Sequence, residues 1–561
     1  MNVAAINRFI TGHHRLLFYS CWFLLGLLQS GLTELLDDEA YYWVFSRYPD
    51  WGYYDHPPLI ALLVKAGTVV FPGELGVRLV PLLLNTGTLL VTEKLTERKD
   101  PFLFYGIALS IAVIQIAGIF AVPDTPLIFF TALFFLTYKQ FSARPSWINM
   151  IGLGITVSLL LYSKYHGILI VFFTGLSNLR LLRHYRAWLA AGLALLLYTP
   201  HLWWQYQHDW VSFRYHLFES NVNPYKLSFT IEYLLGQILL AGPLAGIILL
   251  PAALLYRPVT GAERALRFTL IGIYLFFFFS SFRGRVEANW TAPALVPLMV
   301  LSHRFLADKL NSRKWLFRLL PVTLLLVLAG RIILVIHLLP VKAIRTQYHA
   351  WEKWPGNMTR ITGGLPVVFN NSYQWASKYW FYTGQPAYSH NLYRQRKNNY
   401  NYWPLEDSLL GKPVYYLDRY GDYSFPAFLQ TPAGRIGYRF DSCFVSFAKI
   451  QIKTDEAAYR ISGGADTITA RCRFEMPAHY RAFILDHRIT DDTVRIGIFK
   501  NRKWVKDVIT GLTLREMAET GEKQVRLVPG LAPGKYEMRF AINCGYRKPT
   551  HNSGLIPLRV D

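Results

Sequence analysis

Charge is scarce in this chain. Only 17% of its 561 residues are Asp, Glu, Lys or Arg, while 52% are hydrophobic. That scarcity is uneven, which excludes a uniformly soluble chain. Cysteine is scarcer still, with four in all. No CxxC pair and no Cys/His ligand spacing is present, so a cysteine-based metal site is excluded. Cys21 falls in an apolar run. Cys443, Cys472 and Cys544 fall in the polar part, where an odd number allows one disulfide, of undetermined pairing, and leaves one thiol. No small-x-small cleavage site precedes Asp37. The basic start (Arg8, His13, His14, Arg15) followed by an apolar stretch therefore reads as a retained first span, not a cleaved signal peptide. Internal repeats and low-complexity segments are also missing. Acids are few, 36 against 59 bases, and the formal net charge is +23. Nucleic acid is not the reading of that excess. The bases of the first half sit mostly in short loops, where membrane topology explains them, and a basic surface suits anionic lipid or a phosphate-bearing substrate.

What is present divides near residue 340. Before it, apolar runs recur at lengths that span a bilayer. They cover about 16–32, 76–93, 101–121, 126–141, 148–163, 167–182, 187–204, 229–255, 268–282, 291–306 and 319–339. The run 58–72 is also apolar, but it is short and begins with Pro57-Pro58. If it lies along the membrane face, every dense basic loop falls on the side of the N-terminus: 94–99, 139–144, 180–186, 257–267 and 304–318. If it crosses, every later loop flips and the positive-inside rule fails. The expectation is eleven spans, a cytoplasmic N-terminus and an external C-terminal region. The membrane domain is 1–345, with a first external loop at 33–75.

From 346 the chain alternates polar and apolar residues between turns. A strand at Leu365–Asn370, a helix at Tyr373–Tyr382 and a strand at Val414–Leu417 predict a small α/β domain over 346–440. Residues 441–561, ending in the strand-like Gly534–Phe540, predict a β-sandwich. The fold class is thus an α-helical integral membrane protein with a soluble α/β plus β-sandwich region.

The same topology puts the rare acids on one side. Asp37, Asp38, Glu39 and Asp55 follow the first span, Asp124 lies in Pro123-Asp124-Thr125-Pro126, and Glu287 lies in Arg283–Trp290. Carboxylates at a bilayer face are costly unless they have work to do. Outside a bacterial membrane there is no ready supply of ATP or nucleotide sugars, so a group-transfer enzyme there needs a lipid-borne donor. A lipid phosphate is already a weakly basic leaving group. Such a reaction needs a cation near the phosphate and a base for the acceptor hydroxyl. Asp38 is the candidate base, with Glu39 and Asp124 as companion acids; a helix cap is the plain alternative for the first two. Asp55 and His56 are fixed by the two prolines that follow. Lys164 and Tyr165 interrupt two apolar runs, and Lys164 suits a phosphate clamp or a snorkelling helix end. Arg283, Arg285, Glu287 and Asn289 suit a phosphate or sugar site, or a surface turn. His201, His208 and His216 lie among tryptophans and read mostly as an interfacial belt. The sequence allows a divalent metal but does not require one.

Asp38-Glu39-Ala40-Tyr41-Tyr42, Trp51–Leu59, Pro123–Leu127, Ser163-Lys164-Tyr165 and Arg285–Trp290, taken in order, resemble the GT-C glycosyltransferases. The group is the protein O-mannosyltransferase-like one that includes the lipid A aminoarabinose transferases. The resemblance covers roughly residues 10–420. It implies a polyprenyl-phosphate sugar donor, a lipid, glycan or protein acceptor, transfer with inversion, and Asp38 as the key acid, with Asp124 in the second acidic position. It also implies a bacterial inner membrane and a periplasmic active face. In the aminoarabinose transferases Glu-Lys stands before the two prolines; here it is Asp55-His56, which leaves donor and acceptor identity open. Residues 441–561 match nothing in that family. The rival readings are a transporter or flippase of a lipid-linked glycan and an envelope receptor. Transporters show paired halves and charges midway along spans, and neither feature is evident.

Overall fold

The computed structural model describes all residues except 1–2, 221–223, 422–424, 464–465, 488 and 490. It separates into two compact units, Met1–His349 and Ala350–Asp561.

The first unit is helical. Its opening elements are α1 (Val3–Leu32), α2 (Asp37–Arg47), α3 (Leu59–Val70) and α4 (Gly73–Leu95). Next come α5 (Pro101–Ser110), α6 (Ala112–Ile116), α7 (Asp124–Ala143), α8 (Trp147–Ser163), α9 (Gly167–Ser177) and α10 (Tyr185–Gln207). After the short α11 (Val211–Arg214) follow α12 (Leu227–Ala241), α13 (Gly246–Leu255), α14 (Gly261–Ser280), α15 (Leu295–Asp308) and α16 (Leu310–Val335). Each apolar run read as a span coincides with one of these helices or a pair of them. Among the described residues, three helices are long and apolar enough to cross a membrane: Gly12–Leu32, Gly73–Leu95 and Leu310–Val335.

Two predicted spans are not continuous. The run 101–121 bends by 82° between α5 and α6, and 229–255 bends by 93° between α12 and α13. The two breaks touch. Gly242, at φ +135°, lies so close to Ser110 that a Cβ there would fall 2.6 Å from the Ser110 carbonyl oxygen. Only glycine meets both demands. Side chains take up backbone carbonyls freed around the first break: Asn85 Nδ2 donates to Ile114 O at 3.2 Å, Gln115 Nε2 to Leu109 O at 2.7 Å and Arg331 Nη2 to Gln115 O at 2.5 Å. In an apolar layer such groups must be satisfied internally.

The basic loops meet at one end of the unit. Glu97 pairs with Lys99 at 2.9 Å, Lys139 at 3.0 Å and Arg304 at 3.3 Å, and Arg304 also reaches Glu263 at 3.3 Å. Hydrogen bonds from Lys99 and Lys139 hold the Glu97 carboxyl down to about 2. Arg313 pairs with Asp100.

The helices α3 and α4 pack backbone to backbone. A Cβ at Gly76 would lie 1.8 Å from Phe71 O, and one at Gly67 would lie 2.1 Å from Gly76 O. Gly76→Ala should therefore part this hairpin and lower stability by roughly 1–3 kcal/mol. Thermal unfolding of the detergent-solubilised protein measures that loss, and an unchanged midpoint would contradict the contact.

The second unit holds three sheets. Its first is β1 (Val367–Asn370), β2 (Ala387–His390), β3 (Val414–Asp418), β4 (Ala427–Thr431) and β5 (Gly434–Asp441), in the order β2-β1-β3-β5-β4. Strands β1, β2 and β3 are parallel, and the helix Tyr373–Thr383 links β1 to β2. The strands read from sequence at 365–370 and 414–417 are β1 and β3. Beyond residue 441, a five-stranded and a three-stranded sheet share one core, in which Cys472 and Phe474 from one meet Ile496, Met538 and Phe540 from the other. All four cysteines are unpaired, with Cys472 and Cys544 buried and Cys443 exposed, so the disulfide the sequence allowed is not formed.

Candidate active site

Three acids in a row open α2, and each has a different fate. Acids in a first turn suit the helix dipole, so the sequence folds here as a helix start. Asp37 faces Gln347, whose amide, turned to present its nitrogen, lies 3.0 and 3.1 Å from the two carboxylate oxygens. Asp38 is exposed and lines a cavity of about 1140 Å³. Glu39 is fully buried. It accepts from Arg78 Nε at 2.8 Å and Arg78 Nη2 at 2.6 Å, and from the backbone N–H groups of Ala121 at 2.8 Å and Leu36 at 2.9 Å. The sequence reading placed Glu39 among the catalytic acids. The structure places it outside the cavity lining, with its oxygens taken up by Arg78 and the two N–H groups, in the same turn as Asp38. Arg78 was not among the sequence candidates. It is buried in α4 and also donates to the carbonyls of Ser30, Thr33 and Glu34, where α1 ends. A lone arginine inside an otherwise apolar span was the available signal.

Three distant motifs meet on one carboxylate. Asp124 opens α7, with Pro126 in the first turn where its missing N–H costs nothing. Lys164 leaves α8 in an extended conformation at φ −164°. Lys164 Nζ lies 2.7 Å from Asp124 Oδ1, and Asn289 Nδ2 donates to Asp124 Oδ2 at 3.0 Å. Asp124 and Lys164 are buried, at 8% and 6% exposure, yet both line the cavity, as does Asn289. Buried charges survive when paired and hydrogen-bonded. The ammonium thus sits at the cavity wall, its position fixed by Asp124.

Other sequence candidates divide. His56, Tyr165, Arg283 and Glu287 line the same cavity. Asp55 is buried behind it, accepting from Tyr41 OH at 3.1 Å, while its carbonyl accepts from His216 Nε2 at 2.7 Å. Arg285 is largely exposed and pairs with Glu232 at 3.2 Å, outside the lining. Asp55 thus lies behind the lining, and Arg285 lies on the surface, 3.9 Å from the lining residue Glu287.

The histidine-tryptophan segment is a staple more than a belt. His201 Nδ1 lies 2.7 Å from Trp51 O, Trp204 Nε1 donates to Asp50 Oδ2 at 2.8 Å, and Ser212 Oγ donates to Tyr53 O at 2.8 Å. Tyr165 OH lies 3.2 Å from His201 Nε2 and accepts from Gln205 at 3.0 Å. These bonds pin the loop 50–56 against α10 and α11. Trp203 and Trp210 do remain exposed. Among the described residues, no group of three or more His, Cys, Asp or Glu is arranged to hold a metal ion.

The rest of the cavity is apolar. Ile114, Ile128, Leu161, Leu169, Leu240 and Phe277 are among its walls. Its volume exceeds that of most small-ligand pockets. Carboxylates and cations occupy part of one chamber, and hydrocarbon lines the remainder.

The family model described as dolichyl-phosphate-mannose-protein mannosyltransferase matches residues 55–204. The lipid A galacturonosyltransferase RgtD of Rhizobium johnstonii is 27% identical over 296 residues, covering 49% of this chain and 61% of that protein. The chain thus spans less than two thirds of the length of that curated relative. Crystal structures of ArnT from Cupriavidus metallidurans superpose at TM-score 0.55 with undecaprenyl phosphate bound and 0.56 in the apo state. Their sequence identity is 13% and 12%; each covers 76% of this chain and nearly all of the other (97% and 98%). The chain therefore has the GT-C glycosyltransferase fold that its motifs resemble. About a quarter of it has no counterpart in ArnT.

Proposed function

We propose that this chain is a membrane glycosyltransferase that moves a sugar from a polyprenyl-phosphate donor to an acceptor hydroxyl. One observation carries the reading: a single chamber joins Asp38, the Asp124–Lys164–Asn289 cluster and Arg283 to a long apolar wall. That division matches an amphiphile with a phosphosugar head. The undecaprenyl phosphate bound to ArnT and the lipid A named for RgtD support the same classes of donor and acceptor. The acceptor is lipid A, another glycan or a protein.

In the proposed step, Asp38 takes the proton of the acceptor hydroxyl. The hydroxyl oxygen attacks the anomeric carbon, and the bond from that carbon to the phosphate oxygen breaks. The lipid phosphate leaves with the electron pair, beside Lys164 and Arg283. Attack from the face opposite the phosphate inverts the anomeric centre. Asp124 and Asn289 hold Lys164 in place, and His56, Tyr165 and Glu287 line the donor head. This reading puts the active face in the periplasm of a bacterial inner membrane and the N-terminus in the cytoplasm. The two C-terminal domains, 346–440 and 441–561, then lie outside.

Mass spectrometry of envelope lipids and glycans tests this. Deleting the gene should remove a sugar-sized mass that the wild type restores. An unchanged profile would count against transfer and favour a transporter or receptor. Lys164→Met should weaken donor binding by about 10- to 100-fold, since hydrogen bonds to charged groups contribute about 1.5–3 kcal/mol. The donor KM of purified protein in nanodiscs measures it.

A further inference from the structure

The imidazole of His166 lines the chamber, and the proposed step does not use it. His166 sits two residues after Lys164, at the cap position of α9. The next helix offers a comparison. His184 holds the same position before α10, and its Nδ1 accepts from the Arg186 N–H at 3.2 Å. His166 makes no such bond. Capping, the ordinary duty of a polar side chain at this position, is not what His166 does.

Two aromatic rings fix where it stands. The imidazole centroid lies 5.2 Å from that of Phe277 and 5.7 Å from that of Trp290, and those two lie 5.8 Å apart. All three rings line the chamber. Trp290 follows Asn289, and Asn289 and Lys164 both bond to Asp124. The loops 163–167 and 287–290 thus meet twice, once through Asp124 and once ring to ring.

The polar edge of His166 is unmatched. Nδ1 is buried with no hydrogen-bond partner among the described residues. Buried polar atoms are nearly always bonded, and each exception asks for a reason such as a role in binding or reaction. A neutral imidazole carries one proton. Nδ1 is enclosed and has no acceptor for it, whereas Nε2 is not enclosed. A proton on Nε2 gives the ring one N–H to offer a ligand in the chamber.

Position says which part of the ligand that is. Lys164 and Arg283 draw the phosphate. In a lipid-phosphate sugar, the group joined directly to the phosphate on the side away from the lipid is the sugar. An uncharged N–H two residues beyond the phosphate cation adds no charge and suits a hydroxyl oxygen. We infer that His166 Nε2 donates a hydrogen bond to a hydroxyl of the transferred sugar and so helps select the donor. The inference rests on the transferase reading and names a residue that reads the sugar itself. A site built to bond a hydroxyl rejects a sugar lacking it far more strongly than an apolar pocket rejects a misfit.

The test uses the full chain in nanodiscs and two probes. One is the polyprenyl-phosphate sugar fraction extracted from membranes of the deletion strain, and the other is bare undecaprenyl phosphate, which carries no sugar. His166→Phe should lower kcat/KM for the extracted donor by about 10- to 100-fold. Inhibition by bare undecaprenyl phosphate should stay unchanged, whereas a merely structural defect would weaken both. His166→Gln, whose amide nitrogen can reach the place of Nε2, should recover most of the loss. The shorter His166→Asn should not, and this pair decides the matter if the Phe variant fails to fold. Wild-type kcat/KM in His166→Phe, equal loss of donor and carrier, or Gln and Asn variants of equal activity would each overturn the inference. A wild-type protein that turns over none of the extract would sink the transferase reading itself, which keeps the two failures apart.

Discussion

Asp38→Asn should lower sugar transfer by about a thousandfold and leave the protein folded. The size follows from the role. A positioned general base contributes roughly 10²–10⁴ in rate, and the amide keeps the shape while losing the ability to take a proton. The fold should not notice, because Asp38 is exposed to the chamber. Neighbouring Asp37 and Glu39 cannot substitute. One faces Gln347, and the other is held by Arg78 and two backbone N–H groups. Initial rates of the purified variant, set beside its unfolding midpoint, check both halves. Wild-type rates from Asp38→Asn would remove it as the base.

A second large effect should come from a residue that touches neither donor nor acceptor. Arg78→Met should cost about 3–5 kcal/mol, the usual result of stranding one member of a buried ion pair. Stability as a whole is typically about 5–15 kcal/mol, so much of the protein would fail to fold. Glu39→Leu should do similar harm by stranding Arg78. The double variant should recover much of the stability, since apolar pairs of similar volume often replace buried ion pairs without loss. It should not recover transfer. Arg78 ties the end of α1, through Ser30, Thr33 and Glu34, to the first turn of α2. Without that tie Asp38 loses its setting. Thermal unfolding and transfer rates of the three variants separate the roles. Full activity in the double variant would show the pair to be structural only.

The helices were largely legible because apolar runs of span length leave few other readings. The breaks in α5–α6 and α12–α13 were not, because hydropathy averages across a bend. Gly242-Pro243 marked the second break in plain letters; nothing in the residues around Ile111 marked the first. The acids and cations of the chamber were legible as a set, since topology put their loops on one side. Their pairing was not. Asp124 is 40 residues from Lys164 and 165 from Asn289, and no local pattern encodes contacts of that reach. The pairing of Glu39 was hidden for the same reason: Arg78 lies 39 residues away. The strands of the second unit at 365–370 and 414–417 were read closely.

The half-polar, half-hydrocarbon chamber also has a consequence for kinetics. An amphiphile held this way keeps its tail in an oily setting throughout the exchange of head groups. Donor then reaches the protein by diffusing within the bilayer plane, and spent carrier departs by the same route. Rate should follow the number of donor molecules per unit of membrane area, not per litre. Diluting the donor with inert phospholipid at fixed total donor should slow turnover, whereas diluting whole proteoliposomes with buffer should leave turnover per protein unchanged.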